Sequence, residues 1–380
     1  MWTDTAATRL LKILYPIVQG PFGGGSSSVE LAATVSNLGG LGSFGVQHLA
    51  PDQIKDLVAN LRARTTAPFA VNLWVDNADA AMAEFDAPAF ARHVERLTPV
   101  FASLGLDPPA FPNRFGQDFD EQVAALIEAA PPAFSFVFGI PSPDVLSACR
   151  ARGIVTIGNA TTVDEARAIE EAGVDMLVAT GAEAGGHRVS FLAAPDTVLM
   201  GNFSLLPQVR DAVRLPVILA GGIADGRGIA AALTLGADAV QIGTAFLACD
   251  ESGAEPLHRT ALFSEQAGQT MLTRAFSGRL ARTIRNSFAE AVADDPAAVA
   301  PYPAQNWLVR ALRAAAVAQG RSDLIPLYAG QSASLLRHHS ASALFHALVA
   351  ETDEAFRLAA LRVPAAAPDA SGRQPGGPNK

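Results

Sequence analysis

Two hydrophobic patterns alternate along the chain. Short apolar runs rich in β-branched and aromatic residues, such as Phe69–Trp74 and Pro216–Ala220, are typical of strands buried on both faces. Longer stretches between them, such as Pro51–Arg64, carry apolar residues at helical spacing. The short runs predict eight strands: one within residues 12–20, followed by Leu41–Phe44, Phe69–Trp74, Phe134–Phe138, Ile154–Gly158, Asp175–Ala179, Pro216–Ala220 and Asp238–Ile242.

A helix is predicted between most of these strands. The clearest example is Gly226–Leu235, which Asp225 can cap and Gly236 ends. Strands and helices in this unbroken alternation predict a parallel α/β fold, and eight such units predict a (β/α)8 TIM barrel. A doubly wound sheet is the competing fold, but it seldom contains so many units in unbroken order. The other predicted helices between barrel strands are Val29–Leu38, Pro51–Arg64, Glu121–Ala129, Pro143–Arg152, Thr162–Ala172 and Phe203–Val213.

Residues 76–118 interrupt this rhythm after the third strand, with a helical pattern at Pro88–Leu104. We interpret them as an insertion on the side where barrel loops build the active site. Three aromatic residues, Phe101, Phe111 and Phe115, are candidate walls of a pocket, and a local core is the alternative.

The chain beyond the barrel is predicted to be mostly helical. Helical patterns cover 255–267, 306–319 and 334–358, with 271–285 between the first two. We therefore divide the chain into a barrel (1–290, including the insertion), a helical extension that packs on it (291–362) and a tail (363–380). The tail is predicted to be disordered, because Ala, Pro, Gly and Ser dominate its composition.

Composition and charge exclude several classes of protein. Of 380 residues, 49% are hydrophobic and 17% charged, and the net charge of −9 argues against nucleic acid as a partner. We find no apolar run of about 18 residues that could cross a membrane, and no convincing signal peptide, so we expect a cytoplasmic protein. The two cysteines, Cys149 and Cys249, predict neither a disulfide framework nor a zinc site, and no other metal constellation is visible.

Glycines follow the last two predicted strands. Gly221 and Gly222 end strand 7, and Gly243 with Thr244 ends strand 8. The ends of neighbouring parallel strands lie side by side, and their free N–H groups can bind a dianion such as phosphate. Phosphate sites in barrels often follow strands 7 and 8, so we predict one here, with simple glycine turns as the alternative.

The loop after strand 6 holds the strongest candidate for chemistry. His187 follows Gly185 and Gly186 there, where an imidazole can act as a base or bind an anionic substrate. A solvated loop histidine is the alternative. Glu183 in the same loop is expected to orient it. Asn72, at the end of strand 3, can offer a donor and an acceptor to a flat heterocycle or can satisfy nearby backbone.

These residues belong to motifs that resemble those of the nitronate monooxygenases, formerly called 2-nitropropane dioxygenases, which are FMN-dependent (β/α)8 barrels. The resemblance covers about residues 12–290 and rests on four motifs: Pro16-Ile-Val-Gln-Gly-Pro-Phe, Glu183-Ala-Gly-Gly-His-Arg, Ala220-Gly-Gly-Ile-Ala-Asp-Gly-Arg and Gln241-Ile-Gly-Thr. Two later segments, 273–279 and 328–331, resemble the longer bacterial and fungal members.

The resemblance implies a set of functional residues. It makes His187 the catalytic histidine, with Pro21 and Phe22 near the isoalloxazine. Two positions depart from the family: Thr180 stands where many members have a longer Gln, and Phe22 replaces a common Met. The implied FMN contacts are Pro21, Phe22, Asn72, Thr180, Gly185, Gly221, Gly222, Gln241, Ile242, Gly243 and Thr244.

The resemblance also implies an activity, the oxidation of alkyl nitronates such as propionate 3-nitronate by O2 to a carbonyl compound and nitrite. His187 would bind the nitronate, or act as base on a neutral nitroalkane. The partners expected are these small molecules, with a homodimer as an open option. An FMN-dependent NAD(P)H:quinone or enoyl reductase on the same barrel is the alternative. A barrel of the inosine-monophosphate dehydrogenase type would need a catalytic cysteine in a barrel loop, and a non-enzymatic carrier would leave His187 without a role.

Overall fold

A computed structural model describes residues 1–75, 78–293 and 298–362 of the chain. Its strands coincide closely with the apolar runs of the sequence. Those in the described residues are β1 (Ile17–Gln19), β2 (Gly42–Gly45), β3 (Phe69–Trp74), β4 (Ala133–Val137), β5 (Val155–Ala160), β6 (Met176–Thr180), β7 (Gly186–His187), β8 (Val217–Ala220), β9 (Ala239–Ile242), β10 (Thr270–Thr273) and β11 (Ala281–Ile284).

Helices follow most barrel strands, and several start with the caps that the sequence predicts. Ser28 caps α2 through Leu31 N, and Asp225 caps α9 through Arg227 N and Gly228 N. The α-helices are α1 (Ala6–Leu11), α2 (Val29–Asn37), α3 (Pro51–Arg64), α4 (Ala87–Ser103), α5 (Phe119–Ala129), α6 (Pro143–Ala151), α7 (Val163–Glu171), α8 (Asn202–Ala212), α9 (Gly226–Thr234), α10 (Thr244–Leu247), α11 (Pro256–Leu262), α12 (Ser287–Ala293), α13 (Ala304–Ala318) and α14 (Ala341–Ala360).

Eight parallel strands form the barrel. They are hydrogen-bonded in the order β1-β9-β8-β6-β5-β4-β3-β2. An isolated parallel bridge between Val18 and Leu41 joins the first strand of this order to the residue before the last, and so closes the sheet. The predicted (β/α)8 TIM barrel is therefore confirmed.

The lower end of the barrel is filled by a helix that the sequence did not reveal. Ala7 and Leu11 of α1 pack with inward-facing residues near the N-terminal ends of the strands, including Val18, Ala70 and Ala133. A second core lies between the strands and the outer helices. The lower part of the barrel interior is apolar, and the polar groups that face the interior lie at its upper end.

The insertion after β3 builds its own aromatic core. Phe90 of α4 packs against Trp307 of α13, with ring centroids 5.9 Å apart, and Phe111 and Phe115 complete the cluster. Phe101 is 1% exposed within the same core. None of the described residues of the insertion lines the cavity of about 260 Å³ described below, so the local-core alternative holds and the insertion supports α13.

A small antiparallel sheet that the sequence did not predict lies above the barrel. β10 and β11 form a hairpin, and β11 also pairs with β7, where Ala281 is opposite His187. The prediction that the chain beyond the barrel strands is mostly helical is therefore wrong for residues 271–285, because strands this short and partly polar show no clear alternation. The pairing ties the loop after β6 to the hairpin.

The extension after the barrel is helical beyond the hairpin, as predicted. Its last helix, α14, packs against α9 and α2, and Glu351 accepts a hydrogen bond from Gly226 N at the start of α9 (3.1 Å). The predicted disordered tail, 363–380, lies outside the described residues, as do 76–77 and 294–297. Among the described helices, none has the length and hydrophobicity needed to cross a membrane.

Candidate functional site

A cavity of about 260 Å³ opens at the C-terminal ends of the barrel strands. Its walls include His187 and all the predicted cofactor residues except Ile242. The side chain of Ile242 is buried in the core outside the barrel, because neighbouring strand residues face opposite sides and Gln241 faces the cavity. Ile242 contributes its carbonyl oxygen, which accepts a hydrogen bond from Gly20 N (2.9 Å).

Glycines bring three loops together at one end of the cavity. Gly221 and Gly222 have φ angles of +106° and +68°, which L-residues with side chains rarely adopt. A Cβ atom on Gly185 would lie 2.5 Å from backbone atoms of Ala329 and Gly330. Gly330 N in turn donates to Thr244 Oγ1 (2.9 Å). Bare backbone from the ends of β6, β8 and β9 therefore converges as the phosphate prediction requires.

Two amide side chains are held in fixed orientations on the cavity wall. Asn72 Nδ2 donates to Ser135 Oγ (3.0 Å), and Thr180 Oγ1 donates to Asn159 Oδ1 (2.8 Å). All four residues are buried and lie at the upper ends of β3 to β6. The Thr180 hydroxyl is thus committed to Asn159, which sequence reasoning did not identify.

Gln47 provides a buried acceptor in the loop after β2. It lines the cavity, is 7% exposed, and its Oε1 has no hydrogen-bond partner among the described residues. Its amide lies so close to Gly23 that a Cβ atom there would overlap it. A buried acceptor without a partner costs free energy, so Gln47 is suited to meet a donor from a bound ligand.

His187 forms the opposite wall with aromatic neighbours. Its Nε2 lies 2.8 Å from Ser277 Oγ, and its ring centroid lies 4.9 Å from that of Trp74 and 5.4 Å from that of Tyr328. Ser277 Oγ also lies 3.2 Å from the Arg279 carbonyl oxygen. With its hydroxyl directed there it accepts from Nε2–H of His187, and with its hydroxyl directed to the ring it donates to Nε2.

The charge state of His187 follows from its surroundings. Burial, together with the nearby Arg279 and His48, lowers the pKa of His187 to about 3. The ring is therefore neutral near pH 7, and it can accept a proton or a hydrogen bond. The carboxylate of Glu183, in the same loop, accepts a hydrogen bond from Asn202 N at the start of α8, shared between its two oxygens (2.8 and 3.1 Å), as an orienting role would require.

One face of α13 gives the cavity a positive end. Asn306, Val309, Arg310 and Arg313 line it at the spacing of a single helix face. Arg313 donates to Gly24 O (2.7 Å) and pairs with Glu255 (3.6 Å). Arg310 is exposed at the mouth and has no ion pair within the described part of the chain.

The same arginines act on a second cavity histidine, His48, in the loop after β2. Burial, followed by the charges of Arg310 and Arg313, lowers the pKa of His48 to about 4. His48 is consequently uncharged near neutral pH, and the guanidinium groups supply the positive charge at this end. Neither arginine was predicted as a site residue, since a helix pattern does not distinguish an arginine facing a cavity from one facing solvent.

Comparison with known proteins identifies the family. The model of the nitronate monooxygenase family matches residues 4–351. The chain belongs to this family. It is 40% identical to a probable nitronate monooxygenase of Staphylococcus saprophyticus over 93% of this chain and 99% of that one. It is 39% identical to the counterpart in Staphylococcus haemolyticus, over 92% and 97% of the two chains.

Solved structures support the family assignment. A nitroalkane oxidase from Streptomyces ansochromogenes is similar with a TM-score of 0.85 and 39% identity, covering 93% of this chain and all of that one. FabK from Thermotoga maritima is similar with a TM-score of 0.73 and 30% identity, over 95% and 99% of the chains. The protein is therefore an enzyme of the nitronate monooxygenase family, and its activity belongs to the oxidation of nitro compounds.

The cysteines take no part in the site of this family member. Both are buried away from the cavity, and burial raises the pKa of Cys149 to about 11 and that of Cys249 to about 12. The thiols are protonated at neutral pH, so the cysteine chemistry of a dehydrogenase barrel has no basis here. In the described ranges, no group of three or more His, Cys, Asp or Glu residues could hold a metal ion.

Proposed function

We propose that the protein oxidises alkyl nitronates with O2 and uses FMN, with propionate 3-nitronate as the substrate type. The observation that carries this proposal is the pairing, in one cavity, of a neutral histidine with a positive helix face. Propionate 3-nitronate has a nitronate at one end and a carboxylate at the other. The neutral histidine suits the nitronate, and the arginines of α13 suit the carboxylate.

The residues present fit FMN. The bare backbone at Gly185, Gly221 and Gly222 suits a phosphate, and the fixed amides of Asn72 and Asn159 suit the polar edge of a flavin ring. Because Thr180 is committed to Asn159, we infer that it contacts the flavin through that amide. When bound, FMN supplies the redox chemistry by which O2 converts a nitronate to a carbonyl compound and nitrite.

His187 is assigned the nitronate end. Its neutral ring can donate a hydrogen bond from one nitrogen to an anionic nitronate, or accept a proton from a neutral nitroalkane at the other nitrogen. The rings of Trp74 and Tyr328 pack against the imidazole. The low pKa of His187 keeps its proton-accepting nitrogen available throughout the neutral range.

Replacement of Arg310 is expected to affect charged substrates selectively. We expect Arg310→Met to raise KM for propionate 3-nitronate about fivefold, because an exposed ion pair contributes about 1 kcal/mol. KM for ethyl nitronate, which has no carboxylate, should change by less than about twofold. Steady-state oxygen consumption with both substrates gives the comparison, and Arg310→Lys should retain most of the preference. An equal rise of KM for the two substrates would show that Arg310 does not bind the carboxylate.

The proposal as a whole is tested by a visible spectrum of the purified protein, mixed anaerobically with propionate 3-nitronate and, separately, with NADH. Flavin bands that respond to the nitronate and not to NADH support the proposal. Bleaching by NADH alone favours the reductase alternative, toward which the likeness to FabK points. A protein that binds no flavin when FMN is added would contradict both.

A further inference from the structure

A buried arginine behind the His187 wall is enclosed by aromatic rings. The guanidinium carbon of Arg279 lies 4.3 Å from the ring centroid of Phe138, 4.4 Å from that of Tyr302 and 5.7 Å from that of Trp74. Its Nε donates to Asp79 Oδ1 (2.8 Å), and the residue is 7% exposed. Burying a cation in this way is costly unless stacking and pairing compensate, so this position is built for a planar, permanently charged group.

Arg279 is connected to His187 by two routes. Through the backbone, Arg279 N donates to Ser277 Oγ (3.2 Å) and Arg279 O accepts from it, and the same oxygen contacts His187 Nε2. Through side chains, Trp74 contacts both the guanidinium group and the imidazole. Gly278, with φ of +92°, forms the tight turn that allows both contacts.

We propose that Arg279 is a positioning residue, whose side chain orients the His187 imidazole through Trp74 and keeps a fixed positive charge beside it, while its backbone N–H and carbonyl hold Ser277. This proposal rests on the proposed function only in taking His187 as the group that binds substrate. Arg279 itself does not line the cavity, so it acts through these neighbours.

Within the described ranges, the charges that face His187 come from few elements. The hairpin provides Arg279, and the loop after β2 provides His48, which is itself uncharged near neutral pH. Tyr328, Trp74 and Phe138 present rings without charge. Arg188, the next residue in the chain, directs its guanidinium group away, to the carbonyl oxygens of Thr180 and Gly181. Arg279 is therefore the fixed cation near the ring, and Asp79 offsets part of its field.

The test follows the protonation of His187 by ¹⁵N NMR of histidine-labelled protein between about pH 8 and pH 4, with His187→Asn to assign the signal. In the wild type the ring should stay neutral over this range. We expect Arg279→Gln to raise the midpoint by about one pH unit, because a neighbouring positive charge has been removed, so that about half of the rings are protonated at pH 4. Arg279→Lys, which keeps the charge, should leave the ring mostly neutral at pH 4, as in the wild type.

Kinetics separate positioning from charge. Arg279→Lys cannot stack as a planar group, so we expect its kcat with propionate 3-nitronate to fall about tenfold while KM changes little. Arg274→Gln is the matched control, because Arg274 lies on the same hairpin but pairs with the exposed Asp196 (3.3 Å). It should change neither kcat nor the titration.

An unmoved midpoint in Arg279→Gln, with a lower melting temperature as its only effect, would overturn the proposal and leave Arg279 as a structural residue. If Arg279→Gln does not fold, Asp79→Asn provides the second measurement, since loss of the counter-charge should keep His187 neutral and alter kcat. An unchanged kcat in that variant would equally contradict the proposal. The NMR titration uses no substrate, so its result is independent of whether nitronates are oxidised.

Discussion

His187→Asn is expected to lower kcat with propionate 3-nitronate by about 10²- to 10⁴-fold while FMN remains bound, a loss typical of removing a group that transfers or shares a proton. Asparagine keeps an amide near the position of Nδ1 but does not reach that of Nε2, so the contact with Ser277 (2.8 Å in the wild type) is lost. The proton-accepting nitrogen of the imidazole is lost with it. The cofactor should stay because the glycine cradle (Gly185, Gly221 and Gly222) offers backbone groups, which this substitution does not change.

Oxygen consumption gives the rate, and the ratio of flavin to protein absorbance gives the occupancy. The matched control is His93→Asn, because His93 is a partly buried histidine of α4 whose Nδ1 contacts Ala298 O (3.2 Å) and which does not line the cavity. It should retain full turnover. Unchanged turnover in His187→Asn would exclude this residue from the reaction, whatever the cofactor.

The pH dependence of the wild-type enzyme should also show that a neutral His187 is required. Activity that needs neutral His187 is fully present above its pKa and is lost only as pH falls through about 3. If His187 were exposed, the enzyme would instead lose activity near the ordinary histidine pKa of 6.5. We therefore expect kcat/KM to show no acid limb between about pH 6 and 7, and a limb in that range would mean that His187 is solvated in the working enzyme.

The sequence was most informative where local chemistry decides structure. The runs that became β3, β8 and β9 are buried on both faces, so their hydrophobicity alone marks them. Gly221, Gly222 and Thr244 follow such strands, and parallel order places strand ends together. The cradle could therefore be predicted before any contact was known.

The parts that escaped prediction depend on long-range packing. Ser277 and Arg279 reach His187 only because β11 pairs with β7, a register that neither strand is long enough to specify on its own. Arg310 and Arg313 line the cavity because Trp307, on another face of α13, packs on the insertion. Ile242 was placed in the site as part of a motif, although the strand alternation that turns Gln241 inward turns Ile242 outward.

Gly185→Ala is expected to weaken FMN binding about a hundredfold, which corresponds to about 2.7 kcal/mol. The added methyl group would lie 2.5 Å from backbone atoms of Ala329 and Gly330, and backbone cannot rotate away as a side chain can. The two loops must separate, and Gly330 N then loses its contact with Thr244 Oγ1. Fluorescence titration of the apoprotein with FMN measures the loss, and circular dichroism checks that the barrel is intact.

Substitutions of two further glycines test whether the loss of FMN affinity is specific to the glycine cradle. Gly116→Ala is the control, because its Cβ would meet nothing within 4 Å and its φ is not positive, so FMN affinity should not change. Gly222→Ala meets only the Glu183 side chain, at 3.2 Å, and its main cost is the φ of +68°, about 1 kcal/mol or a fivefold loss of affinity. A larger loss of FMN affinity in Gly185→Ala than in Gly222→Ala would show that the close contact between the two loops matters more for phosphate binding than the backbone conformation of Gly222. Equal affinities in all three variants would place FMN elsewhere in the cavity.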